Sequence, residues 1–116
     1  MKKICIIPAR GGSERIPRKN IKDFLGKPII AYSIKAAIDS MLFDEVMVST
    51  DDEEIAEIAK NFGAKTPFLR SKYNSNNFAS TVDVLIEVLD WYSKSGQKFE
   101  YGCCLYPAAP FATPEL

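Results

Sequence analysis

Ile4-Cys5-Ile6-Ile7-Pro8-Ala9-Arg10-Gly11-Gly12-Ser13-Glu14-Arg15-Ile16-Pro17-Arg18-Lys19-Asn20 reads as a short apolar strand that runs straight into a cationic loop. The run Ile4–Ile7 is β-branched, carries no charge and is bounded by proline, the pattern of a parallel strand buried on both faces. From Pro8 to Asn20 the chain then holds four permanent cations, Arg10, Arg15, Arg18 and Lys19, against the single carboxylate Glu14. Gly11 and Gly12 lack a Cβ, so the backbone there can turn through positive φ and bring amide N–H groups close to a ligand. In open α/β sheets ligands bind at the carboxyl ends of the strands. A phosphate-bearing anion is the guest this loop suits. Surface turns collect the same residue types, but here the cations follow directly on the most apolar strand candidate in the chain.

Two common phosphate loops are excluded by spelling. A Walker loop needs Gly, four residues and then Gly-Lys-Ser/Thr, and no stretch has it. The dinucleotide fingerprint needs Gly-x-Gly-x-x-Gly, whereas adjacent Gly11-Gly12 are followed by no glycine until Gly26.

With 116 residues the chain is of single-domain size, and residues 1–116 are read as one unit with a modest core. Fifteen acids balance fifteen bases, which argues against a general nucleic-acid or anionic-membrane binder, since these carry a broad basic surplus. The charge is nevertheless uneven: Arg10 to Lys27 has six bases and two acids, Asp44 to Glu57 seven acids and no base. The positive field is local. No apolar run approaches the roughly 18 residues needed to span a membrane, no secretory signal is apparent, and cytoplasmic residence is the expectation. Three cysteines, Cys5, Cys103 and Cys104, all fall in strand candidates and are read as buried small hydrophobes. Histidine is absent, which removes imidazole bases, Ser-His and Cys-His nucleophile pairs and the usual zinc ligands.

Outward from the loop, Pro28 is expected as the first residue of a helix to Ser40, with Ile30, Ile34, Ala37 and Ile38 on its buried face. Glu45–Thr50 is a second strand. Thr50 or Asp51 is expected to cap the next helix, Glu53–Phe62, with a metal site at Asp51-Asp52 as the competing reading; the start signals favour the cap. Ile55, Ile58, Ala59 and Phe62 form its buried stripe and Gly63 its stop. Lys65–Leu69 is a short edge strand, Thr81–Ser93 a third helix with Val84, Leu85, Val88 and Leu89 among its apolar positions, and Phe99–Tyr106 the fourth strand. Strands alternating with helices imply a mostly parallel sheet with right-handed crossovers. Thr113-Pro114-Glu115 then spells a helix start just before the last residue. A sheet cut there exposes an edge or an apolar face, so a fragment, or a chain that needs a partner, is expected.

Ile6-Ile7-Pro8-Ala9-Arg10-Gly11-Gly12-Ser13, continued by Ile16-Pro17-Arg18-Lys19-Asn20, resembles the nucleotide-binding signature of the cytidylyltransferases that activate nonulosonic acids, the CMP-sialic acid synthetase family. The likeness continues through Gly26–Ser33, Val48-Ser49-Thr50-Asp51 and Pro67–Ser71, and extends over essentially the whole chain. Cys103-Cys104-Leu105-Tyr106-Pro107 with Ala109-Pro110-Phe111 looks most like the pseudaminic acid branch, the sialic acid branch usually having glutamine at the Tyr106 position. The resemblance implies a Rossmann-like nucleotidyltransferase α/β fold, here truncated after the fourth strand, and transfer of CMP from CTP to a nine-carbon sugar acid with release of pyrophosphate. Attack at the α-phosphate builds charge on phosphoryl and leaving oxygens, chemistry that positioned cations serve. By the same likeness Arg10 and Lys19 clamp the triphosphate as catalytic groups, Gly11, Gly12 and Ser13 donate hydrogen bonds to it, and Asn20 holds ribose or phosphate. Ala9, Arg70, Ala79 and Thr81 line the cytosine pocket, partly through their main chains, and Tyr106 joins the CTP site. Mg²⁺ is the implied cofactor, with its aspartate ligands, most of the sugar-acid pocket and a homodimerisation segment beyond Leu116. Two departures stand out: Glu14 where the family usually has lysine, and Ala108 in place of a hydroxyl residue. The alternatives are a cytidylyltransferase for N-acetylneuraminic, legionaminic or an octulosonic acid, or a truncated, non-catalytic nucleotide-binding module.

Overall fold

The computed structural model describes residues 2–9, 23–24, 26–71 and 81–105. Its centre is β1 (Lys3–Pro8), whose residues Ile4 to Ile7 are fully buried. A strand buried on both faces needs cover on both, and the chain supplies it in two clusters. Cys5, Ile7 and Ala9 pack with α1 (Ile29–Asp39) and α2 (Glu53–Asn61), while Ile4 and Ile6 pack with α3 (Thr81–Lys94). Burying one such isoleucine contributes about 1.5–3 kcal/mol, which makes β1 the natural nucleus of the core.

The sheet is parallel in the order β4-β1-β5, with β4 (Glu45–Ser49) and β5 (Tyr101–Cys104) flanking the central strand. Cys5 lies opposite Val46 on one side and Cys103 on the other. An antiparallel ribbon that the sequence did not announce, β2 (Asp23–Phe24) with β3 (Lys27–Pro28), turns at Gly26 with φ of +88°. The expected strand Lys65–Leu69 reduces to one parallel bridge, Met47 to Lys65. Pro67 has no N–H with which to continue the ladder.

Helix starts and stops follow local chemistry. Pro28 is the N-cap of α1 rather than its first helical residue, with extended ψ of 143°. The cap of α2 is Asp52, not Thr50 or Asp51: its Oδ1 accepts from Glu54 N–H at 2.8 Å and Ile55 N–H at 3.1 Å. Thr50 contributes one step earlier, its Oγ1 accepting from Asp52 N–H at 3.1 Å. Three consecutive residues with side-chain oxygens compete for the cap, and the one spaced two and three residues before the orphan amides takes it. At the other end Gly63, φ +102°, closes a Schellman turn in which Ala64 N–H donates to Ala59 O and Gly63 N–H to Lys60 O.

Three expected core positions, Ile38, Phe62 and Leu89, are exposed. The inward positions of α3 are instead Val84, Val88 and Tyr92, and the Tyr92 hydroxyl donates to Glu45 Oε2 at 2.8 Å. Burial, reinforced by that carboxylate, pushes the Tyr92 phenol well above its ordinary range. Of the cysteines only Cys5 is buried; Cys103 is exposed and Cys104 half-buried, because among the described residues β5 pairs on one side alone, with β1. Burial first, then the neighbouring Cys103 and Cys104, push the Cys5 thiol up to about 12.

Asp52→Ala removes the acceptor for two orphan amides and is expected to cost about 1 kcal/mol, read as a lower urea midpoint with an unchanged slope. An unaltered midpoint contradicts the cap assignment.

Candidate functional site

The carboxyl ends of β1 and β4 are joined just past the sheet by Ala9, Ser49, Thr50 and Arg70. Ala9 extends the β1 ladder by one bond, its N–H donating to Ser49 O at 2.9 Å. The same carbonyl accepts a second bond from Arg70 Nη2 at 2.7 Å, while Arg70 Nε donates to Ser49 Oγ at 3.3 Å. A third tie runs from Arg70 N–H to Thr50 O at 2.7 Å. One carbonyl oxygen has two lone pairs and here both are used.

Arg70 is thereby a charge held in place. Its residue is only 9% exposed, and Ser49 and Thr50 beneath it are buried. The planar guanidinium addresses the strand end with Nε and Nη2 together, a two-point grip that an ammonium cannot copy. Helix α2 starts immediately beyond, with the Asp52 cap and acidic first turn at Glu53 and Glu54. β5 continues the same end of the sheet through Leu105 N–H, which donates to Ile6 O at 3.0 Å.

The sequence-identified residues divide as follows. Ala9 and Arg70 are brought together at the two strand ends, both hydrogen-bonded through Ser49. Thr81 begins α3. Arg10, Gly11, Gly12, Ser13, Lys19, Asn20, Ala79 and Tyr106 lie outside the described residues, as do Glu14 and Ala108. Ala9, the last described residue before that segment of sequence, is itself held at the Ser49–Arg70 end of the sheet.

Ser49 and Thr50 are bonded to Ala9 and Arg70 and are not among the site residues named from the sequence. The signal available was a pair of hydroxyl residues closing an otherwise apolar strand. The guanidinium's role was equally hidden, because its partner is 21 positions away in the chain. Among the described residues no group of three or more acidic, cysteine or histidine side chains is placed to hold a metal ion. Asp52 spends its carboxylate on the α2 cap.

Comparison with known proteins gives a consistent set of likenesses. The sequence profile described as cytidylyltransferase matches residues 4–115. The chain is 52% identical over 116 residues to a pseudaminic acid cytidylyltransferase of Campylobacter jejuni, covering 100% of this chain and 50% of that protein. It is 37% identical over 115 residues to a CMP-N,N'-diacetyllegionaminic acid synthase of Legionella pneumophila, covering 99% of this chain and 50% of the relative. The chain thus spans about half the length of these curated relatives. Among solved structures, a CMP:2-keto-3-deoxy-manno-octonic acid synthetase complexed with CTP superposes with a TM-score of 0.78 at 30% identity, covering 99% of this chain and 44% of that one.

Arg70→Ala is expected to lower stability by about 1.5–3 kcal/mol, the range for hydrogen bonds to a charged group, measured by urea unfolding. Arg70→Lys is expected to recover little of this, because an ammonium lacks the rigid planar fork that meets Ser49 O and Ser49 Oγ together. Full recovery by lysine contradicts the two-point grip.

Proposed function

Since the chain belongs to the cytidylyltransferase family, we propose that it forms the nucleotide-binding part of an enzyme that transfers CMP from CTP to a nonulosonic acid, with pseudaminic acid as the favoured acceptor and pyrophosphate as the leaving product. The observation that carries the proposal is the joint of Ala9 and Arg70 on Ser49, which sets the root of the Arg10–Asn20 loop at the ligand-binding end of a parallel sheet. Higher identity to the pseudaminic acid enzyme than to the legionaminic acid one supports the choice of acceptor.

In this reading the anomeric hydroxyl oxygen of the sugar acid attacks the α-phosphorus of CTP, and the bond from that phosphorus to the pyrophosphate oxygen breaks. Arg10 and Lys19 neutralise charge building on the phosphoryl and leaving oxygens. Backbone amides at Gly11, Gly12 and Ser13 add hydrogen bonds to the triphosphate, and Asn20 holds the ribose or phosphate. Ala9, Arg70, Ala79, Thr81 and Tyr106 surround the nucleotide. Preorganised donors of this kind need no rearrangement when the charge develops. In this reading the Arg70 side chain is a positioning group, its bonds to Ser49 O and Ser49 Oγ supporting the strand ends on which the nucleotide would rest.

Mg²⁺ bound with the triphosphate would add charge neutralisation there. A homodimeric, cytoplasmic enzyme with no nucleic-acid partner completes the proposal, in keeping with the balance of 15 bases and 15 acids. Among the described residues no helix is long and apolar enough to cross a membrane.

Isothermal titration with CTP and a pyrophosphate-release assay against a panel of sugar acids test the reading. Arg10→Ala and Lys19→Ala are each expected to weaken CTP binding at least about tenfold, a change of about 1.4 kcal/mol. Turnover is expected only when the chain is joined to the second half of the Campylobacter jejuni relative, and to be fastest there with pseudaminic acid. CTP binding without turnover in the joined protein supports the non-catalytic module instead, and unchanged CTP binding in both variants removes the loop from the site.

A further inference from the structure

Arg70 is held from two sides, and the sheet is one of them. On that side its N–H donates to Thr50 O at 2.7 Å and its guanidinium to Ser49 O and Ser49 Oγ. On the other side the segment that carries it meets α3. Ser71 N–H donates to the Glu87 carboxylate, 3.4 Å from both Oε1 and Oε2. Phe68 stacks on Trp91, with ring centroids 5.2 Å apart and planes 19° apart. Glu87 and Trp91 are four residues apart and so stand one above the other on a single stripe of the helix. The two contacts bracket Arg70, Phe68 lying two residues before it and Ser71 one after.

The Glu87 bond also fixes a direction. A trans peptide is planar, with its N–H and C=O pointing opposite ways. With Ser71 N–H turned to Glu87, the carbonyl of Arg70, which shares that peptide unit, is turned away from the α3 stripe. The Arg70 N–H, in the preceding unit, is committed to Thr50. Both peptide planes around Arg70 are thereby set, one by the sheet and one by the helix. Half-buried glutamates on helix surfaces are ordinary; this one places both oxygens on a single backbone amide 16 positions away in the chain. A carboxylate is also the stronger class of acceptor.

We propose that Glu87 is a positioning residue for the nucleotide base: by orienting the Arg70–Ser71 peptide it sets the preference for cytosine over uracil. The inference rests on the reading that Arg70 lines the base pocket through its main chain. The two bases differ along one edge, where cytosine presents an amino donor beside a ring-nitrogen acceptor and uracil a carbonyl acceptor beside an N–H donor. A main-chain group tells them apart only when its direction is fixed, because rejection comes from leaving a polar group unpaired. Trp91 on Phe68 sets how close the segment lies to α3, and Glu87 sets which way its peptide faces.

The test compares CTP and UTP by isothermal titration of the 116-residue chain. The native chain is expected to bind CTP more tightly. Glu87→Ala is expected to weaken CTP binding at least about tenfold and to leave UTP binding within about twofold, so that the preference collapses. Glu87→Gln keeps an acceptor oxygen for Ser71 N–H and is expected to restore most of the preference. Tyr92→Phe is the control for stability, since it loosens the same helix at Glu45, at the other end of the sheet. It is expected to lower the urea midpoint while the ratio of CTP to UTP affinity stays as in the native chain. Amide hydrogen exchange at Ser71 reads the bond itself and is expected to quicken in Glu87→Ala but not in Tyr92→Phe. A native-like ratio or native-like Ser71 exchange in Glu87→Ala overturns the proposal and leaves the base pocket standing. A ratio that falls equally in Tyr92→Phe overturns it as well, making Glu87 a stabilising contact alone. A native chain without preference for CTP overturns the base pocket and this inference together.

Discussion

A single carbonyl, that of Ser49, ties the carboxyl end of the parallel sheet together. It accepts the last ladder bond from Ala9 and the guanidinium bond from Arg70, so the exits of β1 and β4 and the start of the 70s segment share one anchor. Losing either donor would free a strand end at the place where the loop begins. The desolvated setting raises the stakes, because buried polar groups left without partners cost about 1–3 kcal/mol each. The rest of the fold serves to keep that carbonyl still.

Support comes from the central strand. Parallel strands covered on both faces have no solvent side, so residue alternation on β1 sorts Cys5 and Ile7 towards α1 and α2, and Ile4 and Ile6 towards α3. A shift of one residue would exchange these two sets between unlike packing partners. The register Ile4 to Glu45 through Pro8 to Ser49 is therefore set by packing as well as by hydrogen bonds. At the opposite end of the sheet the Tyr92–Glu45 bond holds α3 to the start of β4.

Patterns of period and punctuation were legible in the residues alone. Ile4–Ile7 announced a buried parallel strand, Gly63 a helix stop, and the helices centred on Ile34, Ile58 and Val88 emerged within a residue or two of their ends. Competition among like residues was not legible. Thr50, Asp51 and Asp52 are equally fit to cap until the geometry chooses Asp52. Neither was the reach of the sheet: Pro67 cut the expected third strand to a bridge, and β5, paired on one side alone among the described residues, left Cys103 exposed. For the site, sequence pointed to Ala9 and Arg70 but not to the serine that joins them. A pairing across 21 positions leaves no local trace. The remaining named site residues, from Arg10 to Asn20 and at Ala79 and Tyr106, lie outside the described residues.

A titration of the ¹⁵N-labelled chain with CTP, followed by amide chemical shifts, asks directly whether the Ser49 anchor lies beneath the nucleotide. The account predicts the largest saturable shifts at the amides of Ala9, Ser49, Thr50 and Arg70, with those at Asp44, Glu45 and Tyr92 unmoved. Shifts centred on the Glu45–Tyr92 end of the sheet, with Ala9 and Arg70 silent, would contradict it.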